Sequence, residues 1–228
     1  MSAAVPIWLD VVLPCLDEAA ALPRVLADLP PGVRAVVVDN GSLDRSAIIA
    51  RGLGATVVSA PIRGYGAACA AGLDAATAAV VAFCDCDASI DLAEVARAAA
   101  DVRDGSVDLI CGRRRPTSPG AWPVHARVAV AALTWLLRRR SALTLRDLGP
   151  VRIARTAPLR GLDVGDRRSG YPLETVLRAA AAGWRIREVG FAYTPRVGRS
   201  KVTGTAAGTV RAVRDMAGVL ASVPGAGR

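Results

Sequence analysis

The run Ala78-Ala79-Val80-Val81-Ala82-Phe83-Cys84 is continuous apolar sequence, and it stops at Asp85-Cys86-Asp87. A run of that length with polar residues at its end suits an inner strand of an α/β sheet, buried on both faces. Ligands bind at the carboxyl ends of such strands. Two carboxylates one residue apart at that place repel each other unless something positive lies between them. A divalent cation carrying a diphosphate is a natural occupant, because hard cations take oxygen ligands. Alone, Asp-x-Asp is common in loops, so the rest of the chain has to decide.

The same layout repeats upstream. Trp8 to Leu13 reads as a strand ending at Pro14, and Pro23 opens a helix carrying Leu22, Val25, Leu26 and Leu29. Ala35 to Val38 reads as a second strand, ending at Asp39-Asn40-Gly41-Ser42, with Asp44 placed to cap the next helix. Ala55 to Val58 is a third strand, and Gly64-Tyr65-Gly66 opens an Ala-rich helix running to about Thr77. Asp91-x-x-Glu94 resembles a capping box before a helix with Leu92, Val95, Ala99 and Val102, and Asp108 to Cys111 is a fifth strand. Strand–helix alternation with short loops predicts a mostly parallel, doubly wound sheet. The second half is less regular. Arg113 to Pro123 reads as a loop, Pro123 to Arg140 as a helix and another helix has Pro172 at its first position and Gly183 at its end. Arg185 to Phe191 reads as a strand, Thr194 to Thr205 as a polar loop, and a last helix reaches about Ser222.

The charge is split along the chain. Residues 1–110 carry 7 Arg against 14 acids, and residues 111–228 carry 22 basic residues against 6 acids, within a net charge of +9. A basic second half points to an anionic partner: nucleic acid, an anionic membrane surface or a phosphorylated substrate. No apolar run approaches the roughly 20 residues of a membrane span, and the N-terminus has no signal-peptide pattern. The five cysteines are an odd number lying in or beside strands, which reads as reduced thiols of a cytoplasmic protein. A zinc site from Cys84 and Cys86 lacks the usual CxxC spacing.

Each of the first four strands ends in residues suited to a nucleotide. They are Pro14-Cys15-Leu16-Asp17-Glu18, Asp39-Asn40-Gly41-Ser42, Arg63-Gly64-Tyr65-Gly66 and Asp85-Cys86-Asp87. Asp39 can accept hydrogen bonds from a base or ribose. Gly64 and Gly66 allow close backbone approach to a ligand before a helix N-terminus. Taken in order, the four turns resemble the pattern of family 2 inverting glycosyltransferases: Pro-x-x-Asn-Glu, Val-Asp-Asp-Gly-Ser-x-Asp, Asn-x-Gly-x-Gly-x-Ala and Asp-x-Asp. Asp108–Arg113, Asp147–Arg152, Gly170–Glu174 and Arg196–Lys201 are similar to stretches of the polyprenyl-phosphate (dolichol-phosphate) sugar synthase branch.

That resemblance implies a glycosyltransferase A-type α/β fold. It is a Rossmann-like, mostly parallel sheet flanked by helices, with a less regular C-terminal acceptor half. Residues 1–228 would be a single domain, with 1–112 binding a nucleotide-sugar and 113–228 the acceptor. The implied donor site comprises Pro14, Leu16, Asp17, Glu18, Asp39, Gly41, Ser42, Arg63, Gly64, Gly66, Asp85, Cys86 and Asp87. Asp85 and Asp87 would bind Mg²⁺ or Mn²⁺, and Arg199, Ser200 and Lys201 would close over the phosphates. Lys201 is the only lysine of the chain, and a compact point charge on phosphate is one reason to keep it. The sequence departs from the pattern at Asp17 and Asn40, where Asn and Asp are usual, and at Arg63, where Asn is common. Its one histidine, His125, is not in the C-terminal loop.

Inversion is a single in-line displacement. A hydroxyl acceptor needs a general base near the attacking oxygen, for which Glu174 and Asp147 are the candidates; a phosphate acceptor needs none. The expected activity is transfer from a UDP- or GDP-sugar to polyprenyl phosphate or another phosphorylated acceptor. The alternative is a soluble hydroxyl acceptor. The expected location is the cytoplasm, peripheral at the inner face of the membrane. Arg113–Arg115 and Arg138–Arg140 bracket an amphipathic helix suited to an anionic surface, and a homodimer is a further candidate. A sugar-phosphate nucleotidyltransferase would show a basic Gly-rich loop after the first strand, and a nicotinamide dehydrogenase GxGxxG. A non-enzymatic anionic-surface binding module would leave the acidic strand ends unexplained. Nucleic acid is not an expected partner, because there is no aromatic stacking platform.

Overall fold

The computed structural model describes residues 5–140, 143–198 and 206–222. The first half alternates β1 (Leu9–Cys15), α1 (Leu22–Leu26), β2 (Val33–Asp39), α2 (Ser46–Gly52), β3 (Thr56–Ser59), α3 (Tyr65–Ala75), β4 (Val80–Phe83) and α4 (Leu92–Arg103). The second half adds β5 (Leu109–Pro116), α5 (Val124–Arg140), β6 (Arg152–Arg155), α6 (Thr156–Gly161), α7 (Tyr171–Ala181), β7 (Ile186–Tyr193) and α8 (Ala206–Ser222). The strands form one sheet in the order β3-β2-β1-β4-β6-β5-β7. All pairs are parallel except those of β6, which runs antiparallel to both β4 and β5. The expected mostly parallel sheet flanked by helices is what the chain forms.

Alternation along the inner strands builds two apolar layers. Leu9, Val11, Leu13 and Cys15 of β1 share one face with Val80, Ala82, Cys84 and Cys86, packed with Leu22 and Val25 of α1 and Val95 and Ala99 of α4. Val12, Val36, Val38, Val81 and Phe83 face the other way, with Ala68 and Cys69 of α3 and Leu173, Val176 and Leu177 of α7. Asp10 is the polar exception in β1. It is fully buried, gripped by Arg34 at 2.8 Å through both oxygens, and accepts backbone hydrogen bonds from Thr77 and Ala78 at 2.7 and 2.8 Å. A charge so enclosed by donors fixes where β4 begins.

Local expectations are corrected in three places. Strand β5 runs on through Arg113–Pro116, which read as loop, because β7 pairs with it as far as Pro116↔Tyr193. Strand β6 and helix α6 had no apolar signature. Arg152 sits in β6 only 2% exposed, its guanidinium turned onto the carbonyls of Gly149 and Val151. Asp44 meets α2 as expected, accepting from the N–H of Ser46, the first residue of the helix, at 2.8 Å, and it also accepts from Ala19 N. Of the capping box, Asp91 accepts from Ala93 as expected, while Glu94 accepts from Ala192 N of β7 instead of returning to the cap.

Candidate active site

The carboxyl ends of β1 and β4 open into a cavity of about 260 Å³. Its lining includes the acids Glu18, Asp85 and Asp87, the bases Arg114 and Arg196, and the aromatic residues Tyr65 and Tyr193. Burial, and then the charge of Asp87, push the Asp85 carboxyl up to about 7. Asp87 is 2% exposed; one oxygen caps Ser89 N at 3.0 Å, and the other, Oδ2, is buried without a hydrogen bond. Arg196 lies 3.4 Å from that oxygen and 3.2 Å from Glu18. The segment after β7 is tied across the acidic loop, Thr194 N to Ser89 O and Val197 N to Asp87 O, both 2.9 Å, and this holds Arg196 over the carboxylates.

A buried carboxylate oxygen without a hydrogen bond is a poor arrangement for an isolated side chain and a good one for a cation. Asp85 and Asp87 supply hard oxygen donors suited to Mg²⁺ or Mn²⁺, which need only one or two carboxylates where substrate phosphates complete the shell. Among the described residues no group of three or more His, Cys, Asp or Glu could hold a metal by itself. The residues therefore fit a cation that arrives with a diphosphate.

The remaining predicted donor residues divide. Pro14, Leu16, Glu18 and Cys86 line the cavity. Asp17, Asp39, Gly41, Ser42 and Arg63 knit the neighbouring turns. Asp17, at φ 53°, accepts from Leu43 N at 2.7 Å, and its own N–H donates to Ser42 Oγ at 3.0 Å. Asp39 accepts from Ser42 N at 3.0 Å, and exposed Arg63 donates to Gly41 O at 3.0 Å. Asn40 replaces the usual Asp for a visible reason. Its amide donates to Ile62 O and accepts from Gly64 N, both at 2.8 Å, which a carboxylate cannot do.

Gly64 and Gly66 allow a close approach by the chain's own backbone. A Cβ at Gly64 would lie 2.1 Å from Arg167 O, and one at Gly66 2.5 Å from Asp166 O. The N–H groups of Gly66 and Ala67 donate to Arg168 O and Arg167 O at 2.9 Å. The glycines let the 166–168 backbone, not a ligand, approach α3, and those two amides at the start of the helix are already used.

Neither candidate base stands in the cavity wall. Glu174 is 4% exposed; it accepts from Gly165 N, Asp166 N and Arg178 Nε at 3.0, 2.6 and 2.6 Å. Burial alone would raise its pKa, but these donors hold it below the usual range. Asp147, 1% exposed, accepts from Arg114 Nε and Nη2 at 3.0 and 2.7 Å and from Arg114 N at 2.8 Å. Arg199, Ser200 and Lys201 lie outside the described residues.

Sequence reasoning missed Arg114, Arg196, Tyr65 and Tyr193 as site residues. Arg114 stands in β5 between Arg113 and Arg115, and strand alternation sends it alone toward the cavity. It stacks 4.1 Å from the Trp122 ring centroid and 5.9 Å from that of Tyr193. The period-2 signal was present but masked by reading Arg113–Pro116 as loop.

Comparison with known proteins agrees with this arrangement. The family model for glycosyl transferase family 2 matches residues 10–161. The chain belongs to glycosyl transferase family 2. An uncharacterised glycosyltransferase of Mycobacterium tuberculosis is 48% identical over 206 residues, covering 90% of this chain and 94% of the relative. A dolichyl-phosphate hexose transferase of Haloferax volcanii is 30% identical over 204 residues, covering 88% and 89%. Among solved structures, the glucosyl-3-phosphoglycerate synthase of Mycobacterium tuberculosis, in complex with Mn²⁺, UDP and glucosyl-3-phosphoglycerate, superposes with a TM-score of 0.74 at 23% identity. That match covers 94% of this chain and 79% of the other. At that identity the likeness is one of fold. This family 2 glycosyltransferase has no helix, among its described residues, long and apolar enough to cross a membrane.

Proposed function

We propose that the protein transfers a sugar, with inversion, from a nucleoside-diphosphate sugar to a phosphorylated acceptor. One observation carries this reading: both candidate general bases are fully engaged, and one of them, Asp147, aims a buried guanidinium into the cavity. A hydroxyl acceptor would need a carboxylate free to take its proton. A phosphate acceptor is already an anion and needs a cation to receive it, and Arg114 is that cation. Glucosyl-3-phosphoglycerate synthase and dolichyl-phosphate hexose transferase both carry a phosphorylated compound in their names, which supports the same class.

The roles follow from charge. Asp85 and Asp87 would hold Mg²⁺ or Mn²⁺ together with the donor diphosphate. When bound, the cation supplies Lewis-acid charge to the leaving group. Arg196, between Glu18 and Asp87, adds positive charge beside that group. Arg114, fixed by Asp147 and flanked by Trp122 and Tyr193, orients the acceptor phosphate for in-line attack. Such preorganised charge acts strongly in a site screened from water. Arg199, Ser200 and Lys201 are proposed to close over the diphosphate. UDP-sugars come first as donors and GDP-sugars second.

For the acceptor, polyprenyl phosphate is favoured by one surface. Val124, Val128, Trp135 and Leu136 of α5 are 70, 63, 48 and 42% exposed, and Arg138 and Arg139 are exposed at its end. An apolar helix edge ending in arginine suits an anionic membrane surface. A turnover assay with UDP-glucose and GDP-mannose, with and without Mn²⁺, tests the reading. Its acceptors are polyprenyl phosphate in anionic vesicles, 3-phosphoglycerate and a simple alcohol. Transfer to a phosphate is expected. Transfer to the alcohol alone would overturn it.

A further inference from the structure

Two thiols meet inside the site, and the reaction proposed above uses neither. The register of β1 on β4 pairs Val12 with Phe83, and Cys84 N continues the ladder to Val12 O at 3.1 Å. Cys15 is the last residue of β1, and Cys86 lies two residues past Cys84 in the turn that follows β4. Both side chains belong to the same face, continuing Leu13 and Cys84 in one apolar layer. Their thiols are within hydrogen-bonding reach of each other, and Cys15 also meets the Ser46 hydroxyl. A disulfide between them needs a Cα separation of roughly 4.4–6.8 Å. Both residues are almost fully buried, 1% and 2% exposed, yet both line the cavity, so a small solute reaches them through it.

We propose that Cys15 and Cys86 form a reversible oxidation site, which hydrogen peroxide converts to a disulfide that shuts off donor binding. In the first step one sulfur attacks a peroxide oxygen. The O–O bond breaks, a sulfenic acid forms and water leaves with the thiol proton. In the second step the other sulfur attacks the sulfenic sulfur. The S–O bond breaks, the S–S bond forms, and a second water leaves with the second thiol proton. The two sulfurs lose two electrons in total and the peroxide gains them. The bond ties the Asp85–Asp87 loop to the 14–18 turn, so a loop that must admit a diphosphate and cation is held to the base-binding side. The shut-off rests on the donor-site reading above; the chemistry of the pair does not.

The test treats the full-length protein with hydrogen peroxide, alkylates it under denaturing conditions and maps the peptides by mass spectrometry. Two of the five cysteines should escape alkylation, joined as a Cys15–Cys86 peptide, and dithiothreitol should restore all five. The thermal shift given by UDP with Mn²⁺ should be lost on oxidation and return on reduction. Cys15→Ala and Cys86→Ala should each abolish the linked peptide. Five alkylated cysteines after oxidation, or a linkage between other cysteines, would overturn the site. An oxidised protein that keeps its nucleotide shift would overturn the shut-off. The mass measurement on wild-type protein tests the pair, and the nucleotide shift of reduced protein tests the donor-site reading, so the two fail separately.

Discussion

Asp147 holds Arg114 by both carboxylate oxygens, at 2.7 and 3.0 Å from the guanidinium, and by the Arg114 backbone N–H at 2.8 Å. The acid is 1% exposed, and the base stacks on Trp122 at the cavity wall. An arginine clamped in this way presents its remaining donors in one fixed direction. Asp147→Asn should therefore raise KM for a phosphorylated acceptor about 10- to 100-fold, the scale of a lost charge-assisted hydrogen bond. The donor KM should stay within about twofold. Steady-state kinetics with each substrate varied separately checks this; an equal effect on both would mean a general structural loss.

Asp87 carries the buried oxygen that has no hydrogen bond. Asp87→Asn should lower kcat by about 10²–10³-fold, the usual scale for losing one stabilising group at a developing charge. The thermal midpoint should hardly move. Wild-type protein in excess chelator should fall by a similar amount. Turnover that survives the chelator would refute the metal assignment.

Asp10 is structural, although it is a buried acid in the first strand. Asp10→Ala strands Arg34 and frees the Thr77 and Ala78 amides. Breaking a buried pair costs about 3–5 kcal/mol; since Arg34 is 30% exposed, about 3 kcal/mol is expected, or roughly 6–12 °C in Tm for a chain of this size. Differential scanning calorimetry measures it. A change under about 2 °C, well below that range, would show that water replaces the pair.

Two glycines should respond oppositely. A Cβ at Gly66 would meet Asp166 O at 2.5 Å and Arg167 C at 2.8 Å, so Gly66→Ala should cost about 1–3 kcal/mol by overpacking. A Cβ at Gly218, inside the C-terminal part of α8, would meet nothing within 4 Å, so Gly218→Ala should stabilise by about 0.5–1 kcal/mol. Urea titrations of the two variants decide, and equal signs would contradict the geometry.

Arg185 bonds Asp108 through its backbone N–H at 2.8 Å and its guanidinium at 2.8 and 2.9 Å, which lowers the Asp108 carboxyl from 3.8 to about 2. A depressed folded pKa contributes stability above the unfolded value and loses it as pH falls. The link between the starts of β5 and β7 should therefore weaken from about pH 4 down to about pH 2. The pair is exposed, so the effect is modest and screened by salt. Asp108→Asn should flatten that part of the stability profile, measured by urea denaturation at stepped pH.

The nucleotide-facing half was legible in the sequence because its signals are local. Apolar runs such as Ala35–Val38 become inner strands wherever both faces are covered, and a polar turn must then stand at each carboxyl end. Asp85 and Asp87 needed no tertiary knowledge to be placed at a strand end. The roles inside those turns were not local. Gly64 and Gly66 suit a ligand as well as they suit a backbone, and only the fold brings Arg167 and Asp166 against them. Asp147 and Glu174 stood at positions that suit general bases, but what they touch lies far away in sequence or in another loop: Arg114 is 33 residues from Asp147, and Glu174 closes on the 165–166 backbone. Strand β6 shows the same limit. Its arginines deny it an apolar run, and it is a strand because β4 and β5 leave a gap whose backbone groups must be paired. Propensity and pattern decide which segments are strands and where ligands can approach. Charge pairing across the chain decides which acids stay free to react, because a buried carboxylate takes the nearest donor the fold delivers.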